Sequence, residues 1–256
     1  MVGNKSIIQE IILALGKKAE NKKVADARIG LCYTAVLLDD GQLGLAYTFH
    51  SQQVSPCAKP FESGKIKGED AVKAVQHALS ENLLESSLGI ATINAIVNQQ
   101  IGNTIEGDIL DVISLKNSDT AGMVGFFGPL IEPLKKTVKK IYIFEENAIA
   151  NFPDIYPSEK ASEMLPECDV IIISATTLIN KTIDSLLDLS KDARETIILG
   201  ATTPFLPQVF IKRGVTMLSG IEVTDKNRML QIVSEGGGMR DFKGSIKKIS
   251  VLLKKN

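Results

Sequence analysis

From Ala121 to Gly220 the chain repeats one pattern: a short apolar run, a few small or hydroxyl residues, then a segment of helical periodicity. The runs are Ala121 to Phe127, Ile141 to Phe144, Asp169 to Ser174, Thr196 to Leu199 and Val215 to Leu218. A strand buried on one face alternates apolar and polar residues, whereas one buried on both faces has no need to. Uninterrupted runs joined by helices therefore predict a doubly wound, Rossmann-like α/β domain with a parallel sheet covered on both sides. The intervening helices are expected over Leu130 to Lys139, Leu178 to Leu189, Gln208 to Arg213 and Lys226 to Ser234.

The first hundred residues are organised differently. Ile7, Ile8, Ile11, Ile12 and Leu15 make one helical stripe, and apolar runs on both sides of Asp39-Asp40-Gly41 predict an antiparallel hairpin. Glu69 to Leu84 and Leu88 to Ile101 read as two helices split by Ser86-Ser87. This is an α+β unit. The polar cluster Asn117-Ser118-Asp119 marks the boundary, giving an α+β domain over residues 1–117 and a ligand-binding Rossmann-like domain over residues 118–256.

Ligands of doubly wound sheets bind beyond the carboxyl ends of the strands, where the strand order reverses. The expected strand ends carry Gly125, Phe126, Phe127 and Gly128; Glu145; Thr176 and Thr177 with Asn180; Gly200, Thr202 and Thr203; and Gly220. Each of these residues alone also suits a turn or a helix cap. Together they predict a cleft that backbone amides line closely. Tyr47, Thr48 and His50, at the end of the hairpin, are expected to line its other wall.

The first strand end holds half of a dinucleotide fingerprint. Gly122-x-x-Gly125-x-x-Gly128 departs from G-x-G-x-x-G, but Glu145 lies twenty residues beyond Gly125, where an acid bonds a ribose hydroxyl. Phe126 and Phe127 either stack on a flat ligand or pack beneath the helix. Thr176-Thr177 and Thr202-Thr203-Pro204 read as the openings of two helices, whose unpaired N–H groups favour a carboxylate or phosphate.

Other chemistry is limited by composition. The chain has three scattered cysteines (Cys32, Cys57, Cys168) and two histidines (His50, His77), none in C-x-x-C or H-x-x-x-H spacing. No disulfide framework is implied, and a reducing, cytoplasmic location is expected. His50 and Cys57 could form a ligand pair, or His50 could be a plain loop residue. His77 and Cys168 read as packing residues. With no histidine in the second domain, no histidine-based nucleophile–base pair can be assembled there. Twenty-nine basic residues against thirty acidic ones leave a net charge of −1, so no nucleic-acid or anionic-membrane partner is expected. Lys243 to Lys255 reads as a solvated amphipathic end. No run approaches the length of a membrane span, about 18 apolar residues.

The stretches MVGFFGPLIEPLKK, CDVIIISATTLINKTIDSLLDL and IILGATTPFLPQVFIKRGVTMLSG, with the late Gly-Gly-Gly, resemble an uncharacterised family labelled for heavy-metal chelation. The first half, through its strand–hairpin–helix order and LGLAYTF, resembles that family's companion domain, which is similar to the N-terminal domain of enolase. The resemblance implies a small-molecule-binding protein acting in heavy-metal chelation or metallocofactor metabolism. Its ligand would lie in the interdomain cleft, with a metal ion or a metal–chelator complex as the implied cofactor. A nucleotide- or S-adenosylmethionine-dependent enzyme, and a non-catalytic homo-oligomeric scaffold, are the competing expectations.

Overall fold

The structure is a computed structural model describing residues 5–49, 62–98, 101–146 and 154–253. His50 and Cys57 lie outside the described residues. Strands β1 (Val24–Ile29), β2 (Tyr33–Leu38) and β3 (Leu43–Tyr47) form an antiparallel sheet in chain order. The remaining strands are β4 (Ile105–Glu106), β5 (Thr120–Val124), β6 (Lys140–Glu145), β7 (Ile155–Pro157), β8 (Val170–Ser174), β9 (Glu195–Leu199), β10 (Met217–Val223) and β11 (Ile246–Leu252). They make an eight-stranded sheet ordered β4-β11-β10-β9-β8-β5-β6-β7. From β10 to β7 all pairings are parallel, and β11 is antiparallel to both β10 and β4. Counted from β5, the six parallel strands follow the order 3-2-1-4-5-6, the doubly wound arrangement expected from the apolar runs.

Burial on both faces explains those runs. Ile141 and Ile143 of β6 and Val170 and Ile172 of β8 pack with Leu130, Ile131 and Leu134 of helix α4 (Gly128–Thr137). Their neighbours Tyr142, Phe144, Ile171 and Ile173 pack into a second core on the opposite face, continuous with the first half of the chain. That core takes in Ile7, Ile8, Ile11 and Leu15 of α1 (Ile7–Leu15), the stripe expected from sequence.

Three elements depart from the sequence expectation. The stretch from Lys243 onward is not a solvated end: Ile246–Leu252 is strand β11, with Ile249 and Val251 buried and Lys247 and Lys248 paired outward with Glu106 and Asp108. In the first half, α2 (Ala71–Ala74) tightens into a 3-10 turn over Val75–Leu79, and α3 spans Leu83–Val97. The break falls at Asn82, whose Oδ1 accepts the N–H groups of Leu84 and Glu85 at 3.0 and 3.3 Å. Ser86 and Ser87 lie inside α3, where Ser86 Oγ donates to Ile179 O and Ser87 Oγ to Tyr47 O and Leu83 O. The third departure is the helix expected over Leu178 to Leu189. Beyond the short α5 (Ala161–Met164), this stretch is a 3-10 turn over Ala175–Leu178 followed by α6 (Ile183–Leu189), with Lys181 in the left-handed region (φ 64°) between them.

Helix α3 is buried nearly all round, which is possible because it carries small residues on several faces. A Cβ on Gly89 would stand 1.9 Å from Ala78 N, and one on Gly44 of β3 would stand 2.1 Å from Ala95 N. The other face of the three-stranded sheet packs Ala35, Leu43 and Leu45 against Ala201, Ile221, Phe242 and α8 (Lys226–Ser234). Both faces of that sheet are therefore covered, one by α3 and the other by the second half of the chain.

Gly89→Ala forces a side chain into backbone, and its cost is expected at the upper end of the about 1–3 kcal/mol typical of overpacking. Gly102→Ala, whose Cβ meets nothing within 4 Å, should stay within about 0.5 kcal/mol of wild type in urea unfolding. Lys181 supplies a pH test. Its ammonium donates to Ser86 Oγ at 2.5 Å and to Ala78 O, and burial pushes its pKa down to about 8 from 10.5. The unfolded chain therefore binds more protons between pH 8 and 10.5, and stability contributed at this site rises with pH across that window. The melting-temperature gap between wild type and Lys181→Met should shift in favour of wild type from pH 7 to pH 9.5. A constant gap contradicts the assignment.

Candidate ligand-binding cleft

The strand order reverses between β5 and β8, and a cleft of about 1270 Å³ opens at their carboxyl ends. Gly125 turns the chain out of β5 with φ 91°, its N–H donating to Phe144 O at 2.9 Å. A Cβ there would lie 2.9 Å from Ser174 Cβ, so only glycine lets the two strand ends close together. After β8, Ser174 Oγ and Thr176 Oγ1 share a hydrogen bond of 2.8 Å at the cleft wall.

Ten of the residues expected from sequence line this cleft: Tyr47, Gly125, Phe126, Phe127, Gly128, Glu145, Thr176, Gly200, Thr202 and Gly220. Four others do not. Thr48 is buried and bonded to Thr34 at 2.9 Å, Thr177 Oγ1 donates to Ser174 O, and Thr203 Oγ1 donates to Ser219 O. Asn180 turns its Oδ1 to Thr182 Oγ1 at 2.8 Å. The cleft also takes in residues the sequence did not single out, among them Tyr33, Phe49, Asp108, Arg240 and Lys248. Tyr33 was within reach of pattern reasoning, since the hairpin register sets it opposite Tyr47. Arg240 was not, because a loop cation has no periodicity.

The two expected helix openings are also corrected. Thr176-Thr177 belongs to a single 3-10 turn, and Thr202-Thr203-Pro204 precedes a non-helical stretch, with α7 (Pro207–Phe210) starting three residues later. Thr202 instead braces the first sheet, its Oγ1 accepting Tyr47 N–H at 2.9 Å. The α-helix that opens on the cleft is α4, with Phe127 at its N-cap and no side chain capping its first turn.

Aromatic rings form the wall on the side of the first sheet. Tyr33 and Tyr47 meet edge to face at 5.9 Å, and Tyr47 and Phe49 at 5.2 Å. Burial raises both phenol pKa values, with Cys32 and Glu145 adding to the effect at Tyr47, so both rings keep their protons. Across the cleft, Phe126 and Phe127 follow β5.

Soft-metal chemistry finds little support among these groups. Among the described residues, no three His, Cys, Asp or Glu side chains stand together as a metal-holding group. Cys168 is buried, its Sγ donating to Met164 O at 3.4 Å. Burial, with Asp169 and Glu167 adjacent, pushes its thiol up to about 12, far from the thiolate that a metal requires. His77 faces Glu69 at 3.2 Å, away from the cleft.

Known proteins match this architecture along most of its length. The family described as "Putative heavy-metal chelation" (DUF364) matches residues 108–252, more than half of the chain. The chain belongs to this family. A second family of the same description, DUF4213, matches residues 12–97. A DUF364 protein of unknown function from Pyrococcus horikoshii is 27% identical, with TM-score 0.85 over 96% of this chain and 100% of its own. One from Desulfitobacterium hafniense is 25% identical, with TM-score 0.82 over 96% of each chain. An uncharacterised protein of Methanocaldococcus jannaschii is 29% identical over 96% of this chain and 97% of its own. The heavy metal in the family's description does not fit direct coordination by the described residues of this DUF364 chain, whose cleft offers aromatic rings, hydroxyls and backbone rather than thiolates. No described helix is long and apolar enough to cross a membrane.

The thiol assignment can be checked directly. Cys168 should resist Ellman's reagent at pH 8 in the folded protein and react only on unfolding, and Cys168→Ser should leave the native thiol count unchanged. A native count lowered by that substitution contradicts the burial of Cys168.

Proposed function

We propose that the protein binds an organic small molecule in the cleft between its two sheets, and that any heavy metal it handles arrives already held by such a molecule. The observation that carries this reading is the cleft itself: about 1270 Å³, at the reversal of the strand order, with aromatic rings contributed by both halves of the chain. A cavity of this size, lined by aromatic rings together with hydroxyls and charged groups, has room for an organic ligand, whereas a bare ion needs convergent ligands.

Calorimetric titration with Fe3+, Co2+ and Ni2+ salts, alone and as citrate and catecholate complexes, tests it. The chelated forms should bind and the bare ions should not. The chain lacks tryptophan, and Tyr33 and Tyr47 are two of its four tyrosines, so tyrosine fluorescence offers a second readout. Phe126→Ala and Tyr47→Ala should each weaken binding by about 3- to 10-fold, the worth of one stacked ring. Silence for every complex, or binding of bare ions alone, overturns the proposal.

The position of Glu145 favours a second reading. It ends β6, the strand beside β5, and lines the cleft as the ribose-binding acid of a dinucleotide site does. Thermal-shift screening with NAD, ATP and S-adenosylmethionine separates this reading. A ligand found there should lose affinity in Glu145→Gln.

A further inference from the structure

We propose that Arg240 receives an anionic group of the cleft's occupant, which makes that ligand a flat, conjugated organic anion. The inference rests on the small-molecule reading of the cleft and adds its charge and shape. Arg240 lines the cleft, is exposed, and forms no ion pair or hydrogen bond with any described residue. The other cation of the lining, Lys248, stands 2.7 Å from Asp108. Burial opposes ionisation of Asp108, but its bonds to Lys248 and to backbone N–H groups prevail and hold the carboxyl below its usual range. That pair is self-satisfied and Arg240 is not. The carboxylate next in sequence, Asp241, is engaged by its own turn, Oδ2 accepting Gly238 N–H at 2.8 Å.

The loop that carries Arg240 is fixed to the aromatic wall. Phe242 is buried with its ring 5.0 Å from that of Tyr33, and Cys32 Sγ donates to Gly236 O. The guanidinium thus springs from a backbone two residues away from a ring in contact with the Tyr33–Tyr47–Phe49 series. A guanidinium and aromatic rings lining one cleft can together take up a planar ring bearing a carboxylate, sulfonate or phosphate. The remaining charges set the direction. β6 and β7 lie on one side of β5 and β10 and β11 on the other; Glu145 ends β6 and Glu159 follows β7, whereas the loop that carries Arg240 leads into β11. An anionic group is repelled by these carboxylates and drawn to Arg240.

Two dyes with the same ring framework separate charge from shape: 1-anilinonaphthalene-8-sulfonate and its neutral counterpart N-phenyl-1-naphthylamine. The folded wild-type protein should bind the sulfonate more tightly, with an affinity that falls as salt is added. Arg240→Gln should weaken the sulfonate by about tenfold, the worth of one charged hydrogen bond, and leave the neutral dye unchanged. Arg240→Lys should recover part of the loss. Phe126→Ala should weaken both dyes. If Arg240→Gln leaves the sulfonate's affinity intact while Phe126→Ala weakens both dyes, the role of Arg240 is overturned and the cleft reading survives. If Phe126→Ala changes neither, or if neither dye binds, the cleft reading fails and this inference fails with it.

Discussion

Two asparagine side chains, one within a buried helix and one at its C-cap, tie the halves of this molecule together. Asn94 Nδ2 donates to Leu45 O on β3 at 2.7 Å and to Thr202 O at 2.9 Å, while Asn98 donates to Thr203 O and accepts Phe205 N–H, each at 3.0 Å. The segment after β9 is buried without being helical, so its backbone groups have no regular partners and must find them elsewhere. The amides of α3 supply them. Among the described residues Asn94 Oδ1 finds no partner, and a buried acceptor left so costs about 1–3 kcal/mol. The return is a strand-end loop held at fixed height over the sheet, with Thr202 in turn holding Tyr47.

The cleft depends on that arrangement. Its floor is set by parallel strands whose order reverses beside Gly125, and one wall is set by a sheet packed between α3 and the second half of the chain. The close approaches at Gly44 and Gly89 let α3 lie against its neighbours at backbone contact, where a side chain would hold the sheet away. Lys181 adds a third tie, reaching from the second half to Ala78 and Ser86 in the first. A cavity whose walls are bound by several buried hydrogen bonds is largely preorganised, which lowers the ordering cost of filling it.

Much of this was legible in sequence because it is local. The apolar runs report strands buried twice, and the six parallel strands follow from them with right-handed crossovers. The small residues at strand ends mark the cleft for the same reason: glycine at Gly125 is a requirement of geometry. What the sequence hid depends on distant partners. Ser86-Ser87 looks like a helix break until Tyr47 O and Ile179 O are brought to their hydroxyls. Thr202-Thr203 looks like a helix cap until its carbonyls meet Asn94 and Asn98. Ile246 to Leu252 looks like a charged tail because its lysines face outward, and only the pairing with β10 makes it a strand. Strands β4 and β7, two and three residues long, are too short to carry any period.

The same distinction bears on metal chemistry. Cysteine counts in a sequence give possible thiolates, but burial decides which thiols can ionise, and Cys168 is held protonated beneath Gly122 and Met164. Cys32 is spent on the carbonyl of Gly236, joining the first hairpin to the loop that carries Arg240. The two described cysteines therefore serve packing and docking, and of the two cations that line the cleft Lys248 pairs with Asp108 while Arg240 meets no carboxylate among the described residues. Under the proposed function, a metal would be recognised through what surrounds it, and selectivity among metals would follow the organic ligand rather than the ion.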